Sequence, residues 1–130
     1  MAAYLNDTVL DSGLTYLKTN ADKIYINYTQ QATTYTEATS TYACGNKNFG
    51  AGAVFPAAIA AGSPSGRKVT TAAVTDGSVT ASQTAGWWSI VYSGGTALLA
   101  ANTLSSSQAV TSGNTFTLAA FDIRLPNIGG

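Results

Sequence analysis

Residues 67–125 read RKVTTAAVTDGSVTASQTAGWWSIVYSGGTALLAANTLSSSQAVTSGNTFTLAAFDIRL. β-branched and aromatic residues gather there in short runs, and each run stops at a turn signal. Arg67 to Val74 is the first run, Asp76-Gly77 is a hairpin dipeptide, and Ser78 to Gln83 returns. Trp87 to Tyr92 follows, Ser93-Gly94-Gly95 turns the chain, and Thr96 to Thr103 is the partner strand. Ser112-Gly113-Asn114 turns it again, and Thr115 to Leu125 closes the series with Phe116, Leu118 and Ile123 as core residues. Short strands punctuated in this way predict a mainly β chain, an antiparallel β-sandwich or jelly-roll-like barrel.

Upstream, Gln30 to Gly66 is polar and rich in small residues, which predicts a long loop over about 30–66 with one or two short strands. Lys23 to Thr29 is a β-branched and aromatic run whose alternation puts Ile24, Ile26 and Tyr28 on one face and Tyr25 and Asn27 on the other. Residues 5–19 carry the only helical period: Leu5, Val9, Leu10, Leu14 and Leu17 recur near 3.6, and Asn6 or Asp7 can cap the start. A short amphipathic helix is the first reading and an extended arm the second. The expected organisation is one domain, 1–130, with a helix or arm over 1–22 and a β domain over 23–130.

Charge is sparse. Six basic residues balance six acidic ones in 130, and there is no His and one Cys. Without His there is no His-based triad, general base or zinc site, and with a single Cys no intrachain disulfide. Zero net charge lacks the basic footprint of a nucleic-acid binder. It also lacks the self-repulsion that keeps monomers apart, which suits either an assembly component or a neutral soluble domain. Asp7 and Asp11 stand where a signal peptide would be apolar, so the chain is expected to be made in the cytoplasm. Ala51 to Ala61, the most apolar stretch, is too short to cross a bilayer and is broken by Gly52 and Pro56.

The search for chemistry returns turns and caps. Gly62-Ser63-Pro64-Ser65-Gly66 imitates a nucleophile elbow but has Pro64 at the nucleophile position, so it reads as a turn. Asp7 and Asp11 stand one turn apart on a helix, and a capping or dipole role outweighs a metal or acid/base role there. Arg67-Lys68 reads as charge on a strand edge. Cys44 is either a packed small hydrophobe or the donor of an intermolecular disulfide. No cofactor or metal ligand set is expected. Trp87 and Trp88 face opposite sides of one strand, so one of them needs cover from the helix, a loop or a neighbouring subunit. Tyr residues concentrate over positions 4–42 and suit contact surfaces. The candidate interface residues are Tyr4, Leu5, Tyr16, Tyr35, Tyr42, Phe49, Phe55, Trp87 and Trp88.

Several stretches resemble a family of small virion structural proteins of tailed bacteriophages: Tyr4 to Asp7, Thr34 to Tyr42, Ala61 to Val69, Asp76 to Thr80, and Ser107 to Phe116. Such proteins look like capsid decoration, or cement, proteins. The resemblance implies a non-enzymatic β module on the capsid surface that binds the major capsid protein lattice and stabilises it, as a homo-oligomer, with a trimer favoured. It carries no binding residues with it. The alternative is a tail, baseplate or fibre component that binds the host surface, with Trp87 or Trp88 and exposed Tyr stacking on sugar rings.

Overall fold

The computed structural model describes residues 7–62 and 66–125. Tyr4, Leu5, Asn6 and the Ser63-Pro64-Ser65 turn centre lie outside the described residues. Helix α1 (Asp7–Asn20) is followed by nine strands: β1 (Lys23–Asn27), β2 (Ala43–Asn48), β3 (Ala60–Ala61), β4 (Arg67–Thr70), β5 (Val74–Val79), β6 (Gln83–Tyr92), β7 (Ala97–Val110), β8 (Thr115–Leu118) and β9 (Asp122–Leu125). Six of them form an antiparallel sheet in the order β7-β6-β1-β2-β5-β8, curled into a half-barrel. The other three form a small sheet, β3-β4-β9. The fold is mainly β with a short N-terminal helix, in line with an antiparallel sandwich or barrel.

The helix forms because Leu10, Leu14 and Leu17 share one stripe that packs on the core, at spacings of four and three. Val9 and Tyr16 fall off that stripe and are 56% and 57% exposed, so Val9 is not part of the apolar face its spacing suggested. The helix meets β4, where Arg67 Nε donates to Asp11 Oδ1 at 2.7 Å. That pair gives Asp11 a structural use. It also corrects the edge reading of Arg67-Lys68, because β4 is the central strand of the small sheet.

Strand boundaries differ from the sequence expectation in three places. Asp76-Gly77 is not a turn: it lies inside β5, paired to β2 through Ser78 and Val79 and to β8 through Gly77 and Ser78. A Cβ at Gly77 would lie 2.2 Å from the Phe116 ring, so glycine is there to seat that ring. The run Arg67 to Val74 is divided between the two sheets, and so is Thr115 to Leu125, which breaks at Ala119–Phe121. The segment 30–66 holds two short strands within the expected loop, β2 and β3, and β2 is an interior strand of the large sheet. The segment also carries a five-residue π-helix, Glu37–Thr41. Side-chain bonds hold the chain entering it: Glu37 N–H donates to Thr34 Oγ1 at 3.1 Å, and the Glu37 carboxylate accepts from Thr33 N–H at 2.8 Å and from the Thr33 hydroxyl at 2.8 Å. These bonds hold the Glu37 carboxyl below its ordinary pKa.

One buried amide ties that helix to the sheet. Asn27 is fully buried; its Nδ2 donates to Ala38 O at 2.9 Å and to Tyr42 O at 3.3 Å, and its Oδ1 accepts from the buried Ser89 hydroxyl. The alternation that placed Asn27 away from the core face of β1 is correct, but its side is covered by the π-helix. Asp22 does the same for the β6–β7 turn: its carboxylate accepts from Ser93 N–H at 3.1 Å and from the Ser93 hydroxyl.

Two substitutions test this account by chemical denaturation. Asn27→Ala removes the partner of the buried Ala38 carbonyl and Ser89 hydroxyl, while Tyr42 O keeps its bond from Tyr28 N–H, and is expected to cost about 3 kcal/mol. Gly77→Ala is expected to cost about 2 kcal/mol through overpacking, and Phe116→Leu in the same chain to return part of that loss.

Candidate functional site

The two edges of the large sheet are sequence neighbours. β7 and β8 run antiparallel out of the Thr111–Asn114 turn, closed by Asn114 N–H to Thr111 O at 3.0 Å, and then part. A single side-chain bond spans the opening, Gln108 Nε2 to Thr117 O at 2.9 Å. Beyond it Phe121 fills the space. Its ring lies 4.4 Å from Trp88 on β6, and its backbone is clamped to Thr71, with Thr71 N–H to Phe121 O at 2.8 Å and Phe121 N–H to Thr71 Oγ1 at 3.0 Å.

The open seam is a cleft of about 450 Å3. Trp88, Leu104, Leu118 and Phe121 supply apolar surface, and Asn102, Thr103, Ser105, Ser106, Gln108, Thr117 and Asp122 supply polar groups. A bulge in β7 shapes one wall. Ala85 and Trp87 are two positions apart on β6 while their partners Gln108 and Thr103 are five apart on β7, so three extra residues loop out around Ser105. Leu104 stays buried while the three serines after it are exposed. At the cleft's end Thr70 Oγ1 donates to Asp122 Oδ1 at 2.6 Å and Lys68 Nζ lies 3.3 Å from Oδ2, which keeps the Asp122 carboxyl below its ordinary pKa.

The second feature is the β7 edge. Among the described residues β7 pairs with β6 alone, along fourteen residues, and its opposite edge carries unpaired backbone groups. Natural edges of this length are usually guarded by Lys, Pro or inward charge. Here there is none, because no Asp, Glu, Lys or Arg occurs between Asp76 and Asp122. Ala97 to Ala101 along it are apolar and half-buried. This charge-free run is legible in the sequence and is the signal that counting individual aromatics overlooks.

The candidate interface residues scatter. Phe55 is fully buried in the main core, which removes it from any surface role. Trp88 is 9% exposed and belongs to the core and the cleft floor, while Trp87 is half-buried. Phe49 packs against the core with Lys47 Nζ 5.9 Å from its ring centroid. Tyr35 packs in a small cluster with Ala32, Ala38 and Val91, and Tyr42 meets Tyr28 edge to face at 6.5 Å. Tyr16 alone among those described is strongly exposed; Tyr4 and Leu5 are outside the described residues.

Cys44 is fully buried and donates to Ile26 O at 3.5 Å, so the intermolecular disulfide reading is set aside in favour of a packed thiol. Burial pushes that thiol up to about 11. Among the described residues no three His, Cys, Asp or Glu gather where a metal could sit, and no helix is long and apolar enough to cross a membrane. No family model, curated protein or solved structure matches the chain.

Two measurements check this geometry. Phe121→Ala is expected to cost about 3 kcal/mol and Tyr16→Ala under roughly 0.5 kcal/mol in denaturant titrations. Cys44 is expected to resist a thiol reagent in the native protein. Because its folded pKa is raised, the stability it contributes is intact below the unfolded thiol pKa of about 8.5 and is lost as pH rises toward about 11. Cys44→Ala is expected to flatten that alkaline limb.

Proposed function

We propose that the chain is a non-enzymatic structural component of a bacteriophage virion, a head decoration protein that binds the major capsid protein lattice and stabilises it. The observation that carries the reading is the charge-free β7 edge: among the described residues β7 pairs with β6 alone, and no Asp, Glu, Lys or Arg occurs along it. An edge of this kind is an aggregation hazard in a free monomer and a docking rail in an assembly. The stretches that resemble virion proteins favour a capsid as that assembly, and a homo-oligomer built through the same edge fits the neutral composition. Many copies of a modest interface are enough to hold a shell, since each contact is reinforced by its neighbours.

Mass spectrometry of separated heads and tails tests the location, with copy numbers in the hundreds expected on heads. A few copies confined to tails would sink the head assignment and support a tail or fibre component instead. Stability tests the role: shells lacking the protein are expected to break at lower temperature than complete shells. Ala101→Lys places a charge on the β7 edge and is expected to weaken attachment at least tenfold while changing the chain's own stability by less than about 0.5 kcal/mol.

A further inference from the structure

We infer that the seam between β7 and β8 is a binding site for a neutral saccharide, one or two pyranose rings in size. The cleft of about 450 Å3 falls in the range of ligand sites. Its lining has the two surfaces a sugar presents. Trp88, Leu118 and Phe121 form an apolar floor for a ring's C–H face, and hydroxyl and amide groups stand along the walls for its O–H edge. The hydroxyls of Ser105, Ser106 and Thr117 bond to no other described residue, and Asn102 uses only its Oδ1, which accepts from Thr103 N–H at 2.8 Å. Those groups are exposed and available to a ligand.

Charge narrows the class. Among the described residues Asp122 is the only ionic one lining the cleft, and it is already engaged by Thr70 and Lys68, so an anion gains nothing there and a cation finds its carboxylate partly neutralised. An extended peptide is the other occupant of suitable polarity, but it needs a regular ladder to pair with. The β7 wall is bulged by three residues at this level, so it presents side-chain hydroxyls where a docking strand needs evenly spaced backbone groups. The Ala97–Ala101 end of β7 lies outside the cleft and carries only a one-residue register shift, at Leu99. The saccharide site and the assembly edge thus occupy different lengths of one strand, and neither reading requires the other.

The test is a titration of the full chain with glucose, galactose, mannose, N-acetylglucosamine, maltose and lactose, read by tryptophan fluorescence and by amide chemical shifts. At least one sugar is expected to bind saturably at a roughly millimolar Kd, with shifts confined to residues 102–108 and 117–122. The double variant Ser105→Ala, Ser106→Ala and, separately, Thr117→Val are expected to weaken it at least tenfold. Thr15→Ala, in the shallower depression beside α1, is expected to leave it unchanged. Absence of saturable shifts from all six sugars up to about 100 mM, in protein shown to be folded by its amide spectrum, overturns the proposal. So do shifts that map to Ala97–Ala101, and so does binding that the serine pair and Thr117 variants leave intact.

Discussion

The contact between Trp88 and Phe121 governs the architecture. A curled six-stranded sheet whose edge strands are joined by a four-residue turn is one step from a closed barrel, and closure would bury every backbone group on both edges. The Phe121 ring, 4.4 Å from Trp88, occupies the inner space that a longer β8 would cross to reach β7. Its backbone is bound to Thr71 on both sides, so the ring cannot withdraw without losing two hydrogen bonds. The chain then leaves the large sheet and enters the small one as β9. One aromatic pair therefore opens the seam, divides the last run into two strands and docks the small sheet beneath the half-barrel.

The polar devices elsewhere serve the same end. Asp22 immediately precedes β1 and Asn27 ends it, and each satisfies backbone groups of a connection that would otherwise be loose. Asn27 holds the π-helix over β1, and Asp22 holds the β6–β7 turn. With so few charges available, the chain makes these long-range ties with one buried amide, Asn27, and one partly buried carboxylate, Asp22. The three ion pairs, Lys47–Asp76, Arg67–Asp11 and Lys68–Asp122, are partly exposed and contribute little individually.

Several features were legible from sequence for sound reasons. Leu10, Leu14 and Leu17 announced the helix because a 3.6 period has no other economical use, and Ser93-Gly94-Gly95 announced its turn because glycine permits the reversal. Asp76-Gly77 misled for an equally physical reason. Glycine in a strand can mark space for a neighbouring ring as readily as a turn, and only the position of Phe116 distinguishes the two. Phe55 misled as an interface residue because an aromatic in an Ala/Gly-rich segment gives no sign of which sheet will cover it. The cleft was not legible at all, since Asn102, Ser105, Thr117 and Asp122 are ordinary polar residues until β7 bulges and β8 ends early.

By itself, then, the sequence determined the class of the protein: mainly β, nearly chargeless, without the His needed for His-based catalysis, and with an uncharged stretch from Gly77 to Phe121 long enough to span a whole edge. These are local properties, set by side-chain branching, turn residues and ionisable groups. Tertiary structure decided which edge stays open and what lines it. That outcome depends on a contact between Trp88 and Phe121, thirty-three positions apart, and on a register shift between two strands. Neither has a local signature, because the energy of a ring in a gap exists only once both walls are in place.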